Sequence, residues 1–146
     1  FTTLAKSHPH YKIIIAGETT LRQRLNSPSN MQFLGVVQYD CLPQLYNAST
    51  VYINSSREET FGMTTIEAMS CGVPVIVNAT TAMSEIVNRG GVVVDIDNND
   101  AVSSAIELVL KNKSQFGADA RDNVLNNFSE AKMTENYLSL YNKISR

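Results

Sequence analysis

Glu59 and Glu67 stand with seven residues between them, the first in the polar run Asn54 to Thr60 and the second just inside a helical pattern that opens near Gly62. Carboxylates in such a place accept protons from hydroxyl groups, and a carboxylate on the protein-facing edge of a helix is costly unless hydrogen-bonded. Two plainer readings stand beside this one. Thr64-x-x-Glu67 satisfies a capping box, in which Glu67 bonds only its own helix start, and Glu59 next to Arg57 and Glu58 reads as solvated charge. His8 and His10 flank Pro9 with no partner in sequence, which describes a solvated turn. Cys41 and Cys71 sit inside helical patterns and read as reduced, packed thiols in a chain without a secretion signal.

The acids need a frame, and the surrounding residues supply one. Thr50-Val51-Tyr52-Ile53 is a β-branched and aromatic run that predicts a buried strand. Met63, Ile66 and Ser70 fall on one side of the helix that follows, with Ala68 and Cys71 elsewhere. Gly72 caps that helix, Pro74 forbids its continuation, and Val73 to Val77 predicts a second strand. Strand, loop, helix and strand make a βαβ unit. In open α/β sheets the ligand crevice lies at the carboxyl ends of the strands, where a helix start presents amides to phosphate. Acids beside such an anion site suit neutral hydroxyls, those of a sugar and a ribose.

The rest of the chain repeats the alternation. Phe1 to Ser7 reads as the tail of a helix, Tyr11 to Ala16 as a strand ended by Gly17, and Glu18 to Leu25 as a short helix whose Arg22 and Arg24 face solvent. Met31 to Leu34 is a strand leading into Gly35-Val36-Val37. Asp40 is expected to cap a helix with Pro43 in its first turn, Leu42, Leu45 and Tyr46 forming its inner face. Val92 to Val94 is a short strand entered through Gly90-Gly91. Val102, Ala105, Ile106 and Val109 mark a helix started by the acids of Asp97 to Asp100. Ala118 to Phe128 marks another, and Met133, Tyr137, Leu140, Tyr141 and Ile144 the last. The fold class expected is α/β: a Rossmann-like, doubly wound, mainly parallel sheet with helices on both faces.

These segments closely resemble the group 1 retaining glycosyltransferases of the GT-B type. Glu59 and Glu67 match the E-x7-E signature, with Phe61-Gly62 inside it and Ala68-Met69-Ser70-Cys71-Gly72-Val73-Pro74-Val75-Ile76 after it. Ile13 to Glu18 resembles the family's strand-then-glycine turn, Phe33 to Val37 its F-L-G-x-V segment, and Leu42 to Ala48 its L-P-x-L-Y-x-x-A helix. Ser84-Glu85-Ile86-Val87 resembles the later P-E-I-V, with Ser84 for proline, and Thr81-Ala82 stands where many relatives carry Gly-Gly. The likeness covers nearly the whole chain, residues 1–146, and implies the C-terminal, donor-binding half of a GT-B fold.

By that resemblance Glu59 would bond hydroxyls of the transferred sugar and place its anomeric carbon. Backbone amides of Phe61, Gly62, Met63 and Thr64 would meet sugar hydroxyls and the distal phosphate, and Glu67 the ribose hydroxyls. Gly17 would lie on the diphosphate side, and backbone groups of Gly35, Val36 and Val37 would meet the nucleobase. The donor would be a UDP- or GDP-sugar. No cofactor and no metal would be needed, the leaving diphosphate being stabilised by hydrogen bonds and positive charge. An acceptor domain, one further strand and the basic diphosphate-binding residues would precede Phe1, so the chain alone would bind a donor without transferring it. A complete enzyme could meet a membrane surface through that domain; the family's terminal helix often packs back toward it, although core packing is the default expectation for the tyrosine stripe here.

Bulk properties are those of a soluble globular protein and give no support to a nucleic-acid-binding or membrane class. The 146 residues suit one domain by length, able to bury roughly 70% of the unfolded chain's surface. The chain is 43% hydrophobic and 18% charged with a net charge of −2, which offers no basic surface to nucleic acid or anionic lipid. No run has the length of a transmembrane helix, and a cytoplasmic location is expected. A GT-B-type sugar-nucleotide epimerase keeps the same crevice with another reaction, and a receiver-like nucleotide-sensing module would need no second domain. The strand-end glycines never form G-x-G-x-x-G, against a dehydrogenase.

Overall fold

A computed structural model describes residues 1–18, 27–80 and 82–145. The helix expected from Glu18 to Leu25, with Arg22 and Arg24, lies outside these residues apart from Glu18, and so does Thr81. Contacts divide the chain into two units, Phe1–Leu42 and Pro43–Arg146.

The first unit holds helix α1 (Thr2–Ser7), strand β1 (Ile13–Ala16) and strand β2 (Met31–Gly35). The strands pair in parallel, Ile13 opposite Met31 and Ile15 opposite Phe33. Asn30 ties the unit together, its side-chain amide donating to the carbonyls of Ala5, His8 and Tyr11 at 2.9–3.1 Å. His8 and His10 do not simply face water. His8 stacks on Tyr11 with ring centres 4.8 Å apart, and His10 meets the same ring edge-on at 4.5 Å. A 3₁₀ turn, Tyr39–Cys41, then leads into helix α2 (Leu42–Asn47). Asp40, expected at a helix start, lies inside that turn, where the chain tightens before the α-helix proper.

In the second unit, strands β3 (Tyr52–Asn54), β4 (Val75–Asn78) and β5 (Gly91–Val94) form a parallel sheet in sequence order. Helix α3 (Met63–Ser70) joins β3 to β4, and α4 (Met83–Val87) with a 3₁₀ turn at Asn88–Gly90 joins β4 to β5. Every residue of the central strand β4 is buried, which is why Val75-Ile76-Val77 reads as a continuous apolar run rather than an alternation. The parallel sheets are flanked by helices, as expected.

Three helices complete the unit: α5 (Asn99–Lys111), α6 (Lys113–Asn127) and α7 (Glu130–Ile144). Val102, Ala105, Ile106 and Val109 form the buried face of α5, matching their spacing. Its cap is Asn98, whose side chain accepts from the amides of Asp100 and Ala101. Helix α6 begins five residues before Ala118, with Gly117 inside it. A Cβ at Gly117 would stand 2.5 Å from the Gly72 carbonyl oxygen, so the missing side chain lets α6 meet the end of α3. Helix α7 buries no residue, and Met133, Tyr137, Leu140, Tyr141 and Ile144 are all exposed. Core packing is therefore not what its apolar stripe does.

Candidate functional site

The site is built where β3 hands over to α3. Asn54, at the carboxyl end of β3, is buried beside apolar strand residues and its side chain works in both directions. Its Oδ1 accepts from the Ser56 amide at 2.9 Å, and its Nδ2 donates to Thr65 Oγ1 at 3.3 Å. From the end of β4, buried Asn78 donates through Nδ2 to the Ser56 carbonyl at 3.1 Å. Both peptide groups of Ser56 are thus held by strand-end asparagines, which fixes the start of the loop that carries Glu59. Further along, Arg57 pairs with Asp97 at 2.7 Å, an exposed contact of the kind that adds little stability.

Glu59 is half-buried and lines an open hollow of about 590 Å³ with Arg57, Glu58, Thr60, Thr80 and Ala82. Ala82 therefore forms part of the wall near Glu59. The chain then enters α3 through Gly62, whose φ of +87° lies in the left-handed region. A Cβ there would also come 2.7 Å from Cγ of the fully buried Met83. Glycine at the cap leaves the first-turn amides with no capping side chain.

Glu67 is half-buried one turn into α3, and its Oε2 accepts from the Tyr46 hydroxyl at 2.9 Å. The capping-box alternative has no support here. Thr64 lies within the helix, its Oγ1 accepting from the Tyr52 hydroxyl at 2.8 Å. Tyr46 and Tyr52 meet edge to face, ring centres 5.9 Å apart. Burial raises the Tyr52 phenol above its ordinary range, hydrogen bonds with Thr64 and Thr65 oppose that rise, and the charges of Glu59 and Glu67 add to it.

The helix does not turn the expected face inward. Thr65, Ile66, Ala68 and Met69 are buried, whereas Met63 is 58% exposed. Thr65 takes the inner position because its hydroxyl has partners there, Asn54 and the Met83 sulfur at 3.1 Å. Phe61 is also largely exposed, its ring edge-on to Phe128 at 6.2 Å. In the first unit, Gly17 and Gly35 end adjacent strands, and the Gly17 amide donates to the Gly35 carbonyl at 2.8 Å. Both have positive φ, 122° and 72°, and no described atom lies within 4 Å of where either Cβ would stand. Val36 is exposed and Val37 half-buried.

Sequence reasoning passed over Tyr46, Tyr52, Asn54 and Asn78. Tyr46 is indeed buried, as its helical spacing indicates, but its hydroxyl is not idle. The asparagines carried a visible signal, each closing an apolar strand run where an unpaired amide would be costly. Among the described residues no cluster of His, Cys, Asp or Glu could hold a metal ion. Nor is any described helix long and apolar enough to cross a membrane.

Parallel strands with helical crossovers, and a polar hollow at the strands' carboxyl ends, define an open α/β domain of the kind whose ligand crevice lies at that edge of the sheet. Solved structures agree on the fold. Sucrose-phosphate synthase from Thermosynechococcus elongatus superposes with a TM-score of 0.80 at 24% identity, covering 98% of this chain and 41% of that one. Anabaena HepE in complex with UDP gives 0.78 at 20% identity, covering 92% and 42%. These neighbours are GT-B glycosyltransferases. Among sequences, the O-antigen chain mannosyltransferase B of Escherichia coli is 39% identical over 84 residues, which is 58% of this chain and 22% of that protein. The glycosyl transferases group 1 family matches residues 1–131, and the chain belongs to it. It spans less than half the length of these relatives.

Proposed function

We propose that this chain is the donor-binding part of a retaining, metal-independent hexosyltransferase, and that it holds a nucleoside-diphosphate sugar between Glu59 and Glu67. The observation that carries the reading is the placement of the two acids. One lines the hollow at the carboxyl end of the sheet, and the other accepts a hydrogen bond from a buried tyrosine one turn into α3. In this reading the open amides at the start of α3 take the distal phosphate and adjacent sugar hydroxyls. Glu59 takes hydroxyls of the sugar, and Glu67 those of the ribose. The family resemblance would assign Gly17 to the diphosphate, and backbone groups of Gly35, Val36 and Val37 to the base. The UDP held by the Anabaena relative supports this choice of ligand. Transfer to an acceptor in polysaccharide or glycoconjugate synthesis is assigned to a longer polypeptide, so the isolated chain binds the donor and leaves it intact.

The test is a thermal-shift panel of UDP-glucose, UDP-N-acetylglucosamine and GDP-mannose against unrelated nucleotides. At a concentration about 100 times the dissociation constant, the matching donor adds roughly 2.7 kcal/mol, a rise of several degrees for a chain of this size. A flat response to every nucleotide sugar at millimolar concentration would remove the reading.

A further inference from the structure

We propose that Tyr46 is a positioning residue: its hydroxyl, donated to Glu67 Oε2, sets that carboxylate to receive the two hydroxyls of a nucleotide's ribose. The inference rests on the donor-site reading above. Tyr46 is only 6% exposed, so its ring has little freedom, and Tyr52 braces it edge-on at 5.9 Å. Tyr52 in turn holds Thr64 at 2.8 Å. Two phenols, one from α2 and one from β3, therefore grip two α3 side chains that lie one turn apart on the same helix surface.

A carboxylate that accepts one hydrogen bond through Oε2 keeps accepting capacity for others. What it loses is freedom to rotate. That freedom matters here, because Glu67 is only half-buried and Tyr46 is the partner that holds its carboxylate in one orientation. Without Tyr46, the carboxylate can rotate away from the orientation in which it would meet the ribose. Burial, with Glu67 beside it, keeps the Tyr46 phenol protonated and so a donor.

Calorimetric titration of the chain, Tyr46→Phe and Glu67→Gln with UDP or GDP, whichever binds the chain more tightly, and with its 2′,3′-dideoxy counterpart, tests this. Tyr46→Phe should weaken the ribose nucleotide roughly 3- to 10-fold, as for one charge-assisted hydrogen bond, and leave the dideoxy form within about twofold by the same scale. Glu67→Gln should weaken the ribose form more and erase the difference between the two ligands. Equal weakening of both ligands by Tyr46→Phe shows a merely structural role and overturns the inference. So does wild-type behaviour of Tyr46→Phe while Glu67→Gln discriminates, an outcome that leaves the donor site standing. If Glu67→Gln changes neither affinity, or the unaltered chain binds neither nucleotide, the donor-site reading fails too. Should Tyr46→Phe not fold, NMR of the unaltered chain decides. The Tyr46 hydroxyl proton must shift on binding the ribose nucleotide and not its dideoxy form, and the same response to both overturns the proposal.

Discussion

Glu67 and Tyr46 form a pair whose halves come from distant parts of the sequence, and each changes what the other can do. Burial first, then the hydrogen bond to Glu67 and its charge, lift the phenol well above its usual range. An unfolded tyrosine loses its proton near pH 10, so above about that pH the unfolded chain has released a proton that the folded chain retains. Stability therefore falls as pH rises through this window, and below it the contribution is constant. Tyr52, also raised, adds to the same slope. Urea midpoints measured between about pH 9 and 11 should drop less in Tyr46→Phe than in the unaltered chain. Equal drops would mean that Tyr46 is not held neutral by its surroundings. The acids themselves were legible from spacing and residue type. Their supports were not, because pairing a helix tyrosine with an acid 21 residues later requires knowing which helices touch.

At the level of elements, the βαβ core was legible because a buried parallel strand leaves an unmistakable trace in Val75-Ile76-Val77, and α5 because four apolar residues repeat at helical spacing. Helix α6 was read too short, since Gly117 resembles a helix breaker in sequence. Its reason for being glycine is the carbonyl of Gly72, which no local pattern reveals. Gly117→Ala should thus cost about 1–3 kcal/mol by overpacking, seen as a lower urea midpoint with an unchanged slope. An unaltered midpoint would show that α6 does not lie so close to the end of α3. The inner face of α3 was misjudged for a related reason. Thr65 is polar by composition but buried by virtue of Asn54 and Met83, whereas Met63, apolar by composition, is left in the open.

For the whole molecule, family membership was legible in the run from Glu59 to Ile76 and extends over residues 1–131. The identity of a sugar was not, since under the donor-site proposal it would be set by the hollow shared by Glu59, Thr80 and Ala82 rather than by any motif. In the proposed donor site two acids divide one donor between them. Titration calorimetry of Glu59→Gln and Glu67→Gln, with the nucleotide sugar giving the largest thermal shift and with its bare nucleoside diphosphate, tests that division directly. Glu67→Gln should weaken both ligands roughly tenfold or more, whereas Glu59→Gln should weaken only the nucleotide sugar, by a similar factor for one or two lost charged hydrogen bonds. Wild-type affinity of both variants for both ligands would contradict the account.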